Sequence, residues 1–332
     1  MLKHSGILFL SAGPHPVFHS FARAVNAEAR ILPLHGYERL LKKMPFLHLF
    51  HLLFSLILSL FIKTEKHIFL AEGGTTIYIA LFLKMRKKDA TLIYLDGDLF
   101  FFGRLKNIEP FRRVVRKFLK GVDGVITISK QNLHRTLRFI DAPIEVCLPY
   151  PKEVRRTQTE RKNYGLYIGR LDADKNVKRI LRFGLQCPYF ERFFVVGDGI
   201  FRRYVERLSA KNPKLVYLRS RHDIAPFYSE CKFLIHIPDR DPFACVVAEA
   251  MLCGCFPIVS KGVGSHTLLD PIFVIDDPND FDAINRRIKF ILENEDDMRR
   301  IIIGNTSRLP LQEEAIRDFR EKFEAIMKEI GR

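Results

Sequence analysis

Short runs of apolar, β-branched and aromatic residues alternate along the chain with longer stretches whose apolar residues recur at three-and-four spacing. The runs have the length of strands buried on both faces, and the stretches have the period of helices laid against them. GILFLSA (6–12), ARILPL (29–34), HIFLAE (67–72), TLIYLD (91–96), GVITIS (124–129) and IEVCL (144–148) predict strands. Helices are expected over about 16–28, 46–62, 75–88, 107–120 and 131–140. Pro149-Tyr150-Pro151 then opens a polar stretch, in which Lys152 to Asn163 holds nine charged or amide side chains. That composition predicts an interdomain linker over 151–163. The alternation restarts with GLYIG (165–169), RFFVVG (192–197), KLVYL (214–218), KFLIHI (232–237), FPIVS (256–260) and a strand over 272–275. Helices are expected over about 176–186 and 200–211, and the last stretch of about 50 residues reads as helical throughout. Repeated strand–helix units call for parallel sheets covered on both faces, so the fold class is α/β. The layout divides into a first domain over 1–150, a second over 164–310, and a C-terminal helix over 311–332 that is expected to pack back on the first.

A length of 332 residues suits about two such domains. With 47% hydrophobic and 28% charged residues, the composition excludes a disordered, collagen-like or polytopic membrane chain. The six cysteines form no CxxC pair, which argues against a disulfide scaffold and a zinc site and favours a reducing cytosol. The apolar run after Met1 is too short for a secretory signal. The net charge of +16 is uneven: residues 1–150 carry +11 and residues 151–332 carry +5. The first half is therefore the better match for an anionic surface.

Phe46 to Ile62 is a stretch of 17 residues without a formal charge, flanked by Lys42, Lys43 and Lys63. It falls just below spanning length. Three readings are open at this point: a membrane span, a helix packed inside an α/β domain, or a helix with one face in the lipid interface. Strand-like segments on both sides argue against a span.

Ligands of parallel sheets bind outside the carboxyl ends of the strands, which directs attention to the loops there. After strand 165–169 the loop is Gly169-Arg170-Leu171-Asp172-Ala173-Asp174-Lys175-Asn176. Arg170 and Lys175 are two cations beside a helix start, a pairing that suits a diphosphate. The same loop also reads as solvated surface charge. Gly197-Asp198-Gly199 places two glycines at a strand–helix turn, where a ligand or only a turn could require them. Pro238-Asp239-Arg240-Asp241-Pro242-Phe243 leads into a helix that carries Glu249. Asp241 and Glu249 are eight apart across a helix start, a spacing that can turn both carboxylates to one side. Vicinal sugar hydroxyls are natural partners for such carboxylates. The plainer alternative is a capping Asp241 and a solvated Glu249.

Three segments, YIGRLDADKNVKRIL, FFVVGDGIFRRYVERL and PDRDPFACVVAEAMLCGCFPIVS, resemble successive parts of the C-terminal domain of retaining GT-B glycosyltransferases. The family concerned is the large one that includes bacterial mannosyltransferases and sucrose synthase, glycosyl transferases group 1. The likeness runs over about 165–264; the first half is similar only in layout and length. It implies two Rossmann-like doubly wound domains facing across a cleft. It also implies a retaining transfer of a sugar from a nucleotide-diphosphate donor to a hydroxyl acceptor, with no cofactor required. Arg170 and Lys175 would hold the diphosphate, and Glu249 would accept the ribose hydroxyls. Asp241 stands where the family's Glu-x7-Glu pattern has its first Glu, which contacts the donor sugar; here the side chain is one methylene shorter. Gly13, Gly169, Gly197, Gly262 and Gly264 would let the backbone approach phosphates or sugar.

Asp96-Gly97-Asp98 follows strand 91–96 and reads in three ways. It is an Asp-x-Asp that could carry a divalent metal, a loop whose Asp96 or Asp98 faces the donor sugar, or a plain turn. The resemblance favours Asp98 as a catalytic carboxylate and a metal-independent site. Ser129 and Lys130 are further candidates at the next strand end.

Basic residues cluster at Lys84, Arg86, Lys87 and Lys88, and again from Arg104 to Lys120. With Phe100, Phe101, Phe102 and the 46–62 helix in the same half, they predict an anionic membrane as a partner. The acceptor is then expected to be lipid-linked, and the location cytoplasmic, peripheral at the inner face of the cell membrane. A soluble acceptor, a nucleotide-sugar epimerase and a nucleic-acid binder are the alternatives. The last lacks any nucleic-acid motif or interleaved aromatic surface.

Overall fold

The computed structural model describes residues 6–32, 34, 48–87, 89–97, 109–154 and 159–331. Two compact units result: unit 1 is Met1–Pro149 with Gln312–Arg332, and unit 2 is Tyr150–Leu311.

In unit 1 the elements run β1 (Ile7–Ser11), α1 (Pro16–Ala24), β2 (Glu28–Ile31), α2 (His48–Phe61), β3 (Ile68–Glu72) and α3 (Gly73–Arg86). They continue as β4 (Thr91–Asp96), α4 (Glu109–Leu119), β5 (Gly124–Thr127), α5 (Lys130–Thr136) and β6 (Ile144–Val146). The sheet is parallel, in the order β2-β1-β3-β4-β5-β6. Its direction of growth reverses between β1 and β3. The inner strands β1, β3 and β4 are buried almost throughout, as near-continuous apolar runs require.

The last helix, α12 (Gln312–Glu329), belongs to this unit. Phe319 stacks on Phe21 of α1 with ring centroids 4.6 Å apart, and Arg320 donates to the carbonyl of Ala24. Ile326 fills the space that Gly124 leaves open at β5. Apolar spacing in α12 thus finds its partner in the first sheet although the chain has crossed the second.

Unit 2 contains β7 (Lys162–Ile168), α6 (Val177–Gln186), β8 (Arg192–Val196), α7 (Arg202–Lys211), β9 (Leu215–Tyr217), α8 (Ala225–Glu230) and β10 (Cys231–His236). It ends with α9 (Cys245–Leu252), β11 (Phe256–Ser260), β12 (Val274–Ile275), α10 (Phe281–Glu293) and α11 (Glu295–Thr306). The second parallel sheet has the order β12-β11-β10-β7-β8-β9, so its growth reverses between β7 and β10. Phe233, Phe256 and Phe273 form a run of ring contacts at its core, with centroids 5.8–6.1 Å apart.

Two expectations need correcting. The interdomain linker expected over 151–163 extends too far: Lys162 and Asn163 already lie in β7. The charge of Arg161 is structural. The Arg161 guanidinium donates to the carbonyls of Tyr228, Cys231 and Cys253, closing the edge where three segments meet. The helix α8 was not expected. It has six residues and lacks the two turns that make a helical period legible. Among the described residues no helix is long and apolar enough to cross a membrane.

Candidate active site

In unit 2 the loops after β7, β8, β10 and β11 meet at the carboxyl edge of the sheet, beside the β7/β10 reversal. In an open parallel sheet this is the place where loops diverge and leave a crevice. Lys175 ends a short 3₁₀ turn, Ala173–Lys175, after β7. Asp241 follows β10. The two are 66 residues apart, and the Lys175 ammonium forms an ion pair with the Asp241 carboxylate.

His236, the last residue of β10, donates from Nε2 to the same carboxylate oxygen, Oδ2, at 2.9 Å. Asp241 is only 5% exposed and His236 2%. Burial alone would push the Asp241 carboxyl up. Lys175 and His236 outweigh that penalty and hold it well below the usual carboxylate range. His236 rests flat against Tyr167 of β7, and its Nδ1 has no hydrogen-bond partner among the described residues.

Backbone contacts hold Asp241 in place. Its amide donates to the carbonyl of Gly262, and its carbonyl accepts from the amide of Gly264, each at 2.9 Å. A Cβ on Gly262 would run into the carbonyl of Asp239, so only glycine lets these two loops lie side by side. The other pair of loops obeys the same rule. Gly197 has φ +150°, and a Cβ there would meet the carbonyl oxygen of Gly169. Gly13 is not crowded in this way, since nothing among the described residues lies within contact of a Cβ there; Gly264 is buried at the start of a 3₁₀ turn.

Arg170 is more open than Lys175. Its guanidinium pairs with Asp172 at 2.8 Å and Asp174 at 2.7 Å, and these carboxylates raise its pKa against the opposing effect of burial. Asp172 also accepts from the amide of Ile200, which ties the loop after β7 to the loop after β8. Glu249 lies inside α9 at 4% exposure and accepts from the Tyr228 hydroxyl at 2.9 Å. Burial raises its pKa, opposed by Tyr228 and Lys152. Cys245, at the first turn of α9, feels the charge of both Glu249 and Asp241, and its thiol is pushed up to about 12, mainly by burial. Both carboxylates are buried, so Glu249 is not the solvated helix residue of the plainer reading.

The structure separates the remaining candidates. Asp98 lies outside the described residues. Asp96 is at unit 1's sheet edge but turns inward: its carboxylate accepts from Thr127, Thr136 and Tyr94. At 1% exposure it braces β4 against α5 and does not present a sugar- or metal-facing oxygen. Ser129 likewise has a structural task, its hydroxyl accepting from the amide of Asn132 at the start of α5. Lys130 is exposed. No cluster of three metal-ligating side chains occurs among the described residues. Sequence reasoning missed His236 and Tyr228. The only available signal for His236 was a polar residue ending an otherwise apolar strand.

Residues 151–308 match the family model of glycosyl transferases group 1. That interval is nearly the whole of unit 2. The O-antigen chain mannosyltransferase B of Escherichia coli is 25% identical over 194 residues, covering 55% of this chain and 49% of that protein. The chain thus spans about half the length of this curated relative. Among solved structures, the Anabaena protein HepE in complex with UDP superimposes with a TM-score of 0.74 at 16% identity, over 97% of this chain and 100% of that one. The apo form of the lipopolysaccharide outer core galactosyltransferase WaaB does so with a TM-score of 0.66 at 15% identity, over 96% and 99%. The fold is GT-B: two six-stranded parallel sheets, each with flanking helices.

Proposed function

We propose that the protein is a retaining glycosyltransferase that moves a sugar from a nucleotide-diphosphate donor to a hydroxyl acceptor at a membrane. One observation carries the reading: a cation, a carboxylate and paired glycine turns meet at the sheet reversal of the unit that matches glycosyl transferases group 1. UDP in the complex of HepE supports a nucleotide donor.

Breaking the bond between sugar and diphosphate leaves negative charge on the β-phosphate. Lys175 and Arg170 supply fixed positive charge for it. In the present arrangement both cations are held by carboxylates, so a diphosphate must draw Lys175 partly away from Asp241. Asp241 then retains His236 and is free to accept a hydroxyl of the transferred sugar. Glu249, anchored by Tyr228, accepts ribose hydroxyls. The anomeric carbon gains oxocarbenium character as the bond opens. No nucleophilic side chain is needed: the acceptor hydroxyl attacks from the face the diphosphate leaves, and a phosphate oxygen takes its proton. Configuration is retained.

The +11 charge of residues 1–150 supports a lipid-linked acceptor at an anionic surface. The test is a screen of nucleotide sugars for thermal stabilisation, followed by NMR of the product's anomeric centre. A shift in melting temperature with one donor and a retained configuration are expected. Absence of stabilisation by every donor, or an inverted product, refutes the assignment.

A further inference from the structure

Helix α2 is built inside out. Its 14 residues contain no charge, yet its polar side chains His51, Ser55 and Ser59 are the ones buried against the protein. They lie four apart and form one stripe. The His51 ring packs edge-on to Tyr78 of α3, and Arg86 at the end of α3 donates to the carbonyl of Ser59. Buried small serines on this stripe leave room for a close helix–helix approach. The two contacts also show that α2 and α3 run parallel, with their C-terminal ends together.

Six large apolar side chains point the other way, while Leu52, Phe54 and Leu58 are half-buried and pack against the core of unit 1. Phe50, Leu53, Leu56, Ile57, Leu60 and Phe61 are exposed, from 39% for Leu56 to 78% for Phe61. At the angular step of an α-helix they occupy an unbroken arc of about 140°. A water-facing helix has the opposite arrangement. Single exposed apolar residues need no explanation, but six on one arc of one helix do.

What covers this arc is indicated by the charge around it. Lys63, two residues past the end of α2, is exposed. Met85 and Arg86 are exposed at the adjoining end of α3. Helix α4 comes next, since Phe82 of α3 meets Phe118 of α4, and its C-terminal end exposes Lys117 and, just beyond, Lys120. Cations thus collect at the shared C-terminal end of three neighbouring helices. A second copy of the same face would bring cation against cation. An anionic bilayer meets both the apolar arc and its basic rim. At about 21 Å the helix is too short to cross about 30 Å of hydrocarbon, which leaves the interface plane.

We infer that the outward arc of α2 is a bilayer-docking surface, on which the helix lies flat in the headgroup region of an anionic leaflet with the C-terminal ends of α3 and α4 beside it. This rests on the membrane reading above and names the surface that serves it.

The chain contains no tryptophan, so one substitution creates a clean reporter. Phe61→Trp in the full chain is mixed with phosphatidylglycerol–phosphatidylcholine vesicles carrying brominated acyl chains. A blue shift and bromine quenching are expected, and both should be absent for Tyr204→Trp in unit 2. Flotation of the wild type with the same vesicles, at low and high salt, gives the partition coefficient. Leu53→Ser, Ile57→Ser and Leu60→Ser together should lower it by about 10²-fold or more, with unchanged circular dichroism and melting. Because those side chains are already exposed, folding should tolerate their loss. A wild type that floats while the triple variant floats equally well overturns the surface and leaves the membrane reading intact. A wild type that binds no vesicle overturns both. A wild-type dimer that the triple variant abolishes, without vesicle binding, assigns the arc to a second copy and also overturns the inference. Stabilisation by UDP or GDP, measured on the same samples, reports separately on the donor site.

Discussion

Replacing Lys175 by Ala removes the cation that shares a buried carboxylate with His236. Asp241 keeps the imidazole and a long contact from the Phe243 amide at 3.4 Å, but loses its ion pair. Breaking a buried pair by deleting one partner costs about 3–5 kcal/mol, because the remaining charge stays in low dielectric. A single hydrogen bond to a charged group contributes about 1.5–3 kcal/mol. Lys175 is 15% exposed and a second partner survives, so the lower range applies: about 2–3 kcal/mol. For a unit of this size that is a fall in melting temperature of roughly 4–12 °C.

The pH dependence has a definite sign. The folded Asp241 carboxyl titrates below its unfolded value of about 3.9, so its ionised form stabilises the fold. That contribution is fully present above about pH 4 and is lost as the pH falls through the folded value. The gap between wild type and Lys175→Ala should therefore be largest near neutrality and narrow in acid. Thermal and urea melts across pH measure it, and Asp241→Asn with the Lys175→Ala/Asp241→Asn double variant closes the cycle. The double variant should be less destabilised than the two single variants summed. A Lys175→Ala protein that melts with the wild type at pH 7, or a purely additive cycle, refutes the coupling.

Arg170→Ala should lower turnover by about 10²-fold or more with little change in melting, since its guanidinium pairs with carboxylates of its own loop. Activity should persist in EDTA; loss of turnover on chelation would contradict charge stabilisation by side chains. Glu249→Gln should weaken donor binding by about tenfold, as a neutral acceptor replaces a charged one. Wild-type donor affinity should also drop as the pH falls through the raised Glu249 value, and a flat titration calorimetry profile would argue against ribose contact. Gly197→Ala should destabilise unit 2 by about 1–3 kcal/mol through collision with the Gly169 carbonyl; an unchanged melt would refute that contact.

The pattern of apolar runs determined the α/β class, the strands TLIYLD and FPIVS to the residue, and the loops in which to look for chemistry. Arg170, Lys175, Asp241 and Glu249 were legible as candidates because each sits at a fixed offset from a strand end or helix start. Their partners were not. Sequence distance says nothing about which loops a reversal in strand order brings together, so the meeting of Lys175 with Asp241 across 66 residues belongs to the tertiary structure. His236 offered only its place at the end of a strand. The polar stretch before β7 shows the converse, since Arg161 is charged for the sake of three backbone carbonyls and not for solvent. Asp96 likewise looks chemical in sequence and is structural in space, because Thr127 and Thr136 arrive from later elements to occupy it. Helix α2 is the clearest division between the two levels. Composition made it apolar, but only packing against α3 decided which face is covered: His51, Ser55 and Ser59 are buried, Leu52, Phe54 and Leu58 half-buried, and Leu53, Leu56 and Leu60 exposed, because a helical period defines faces and only a neighbour chooses among them.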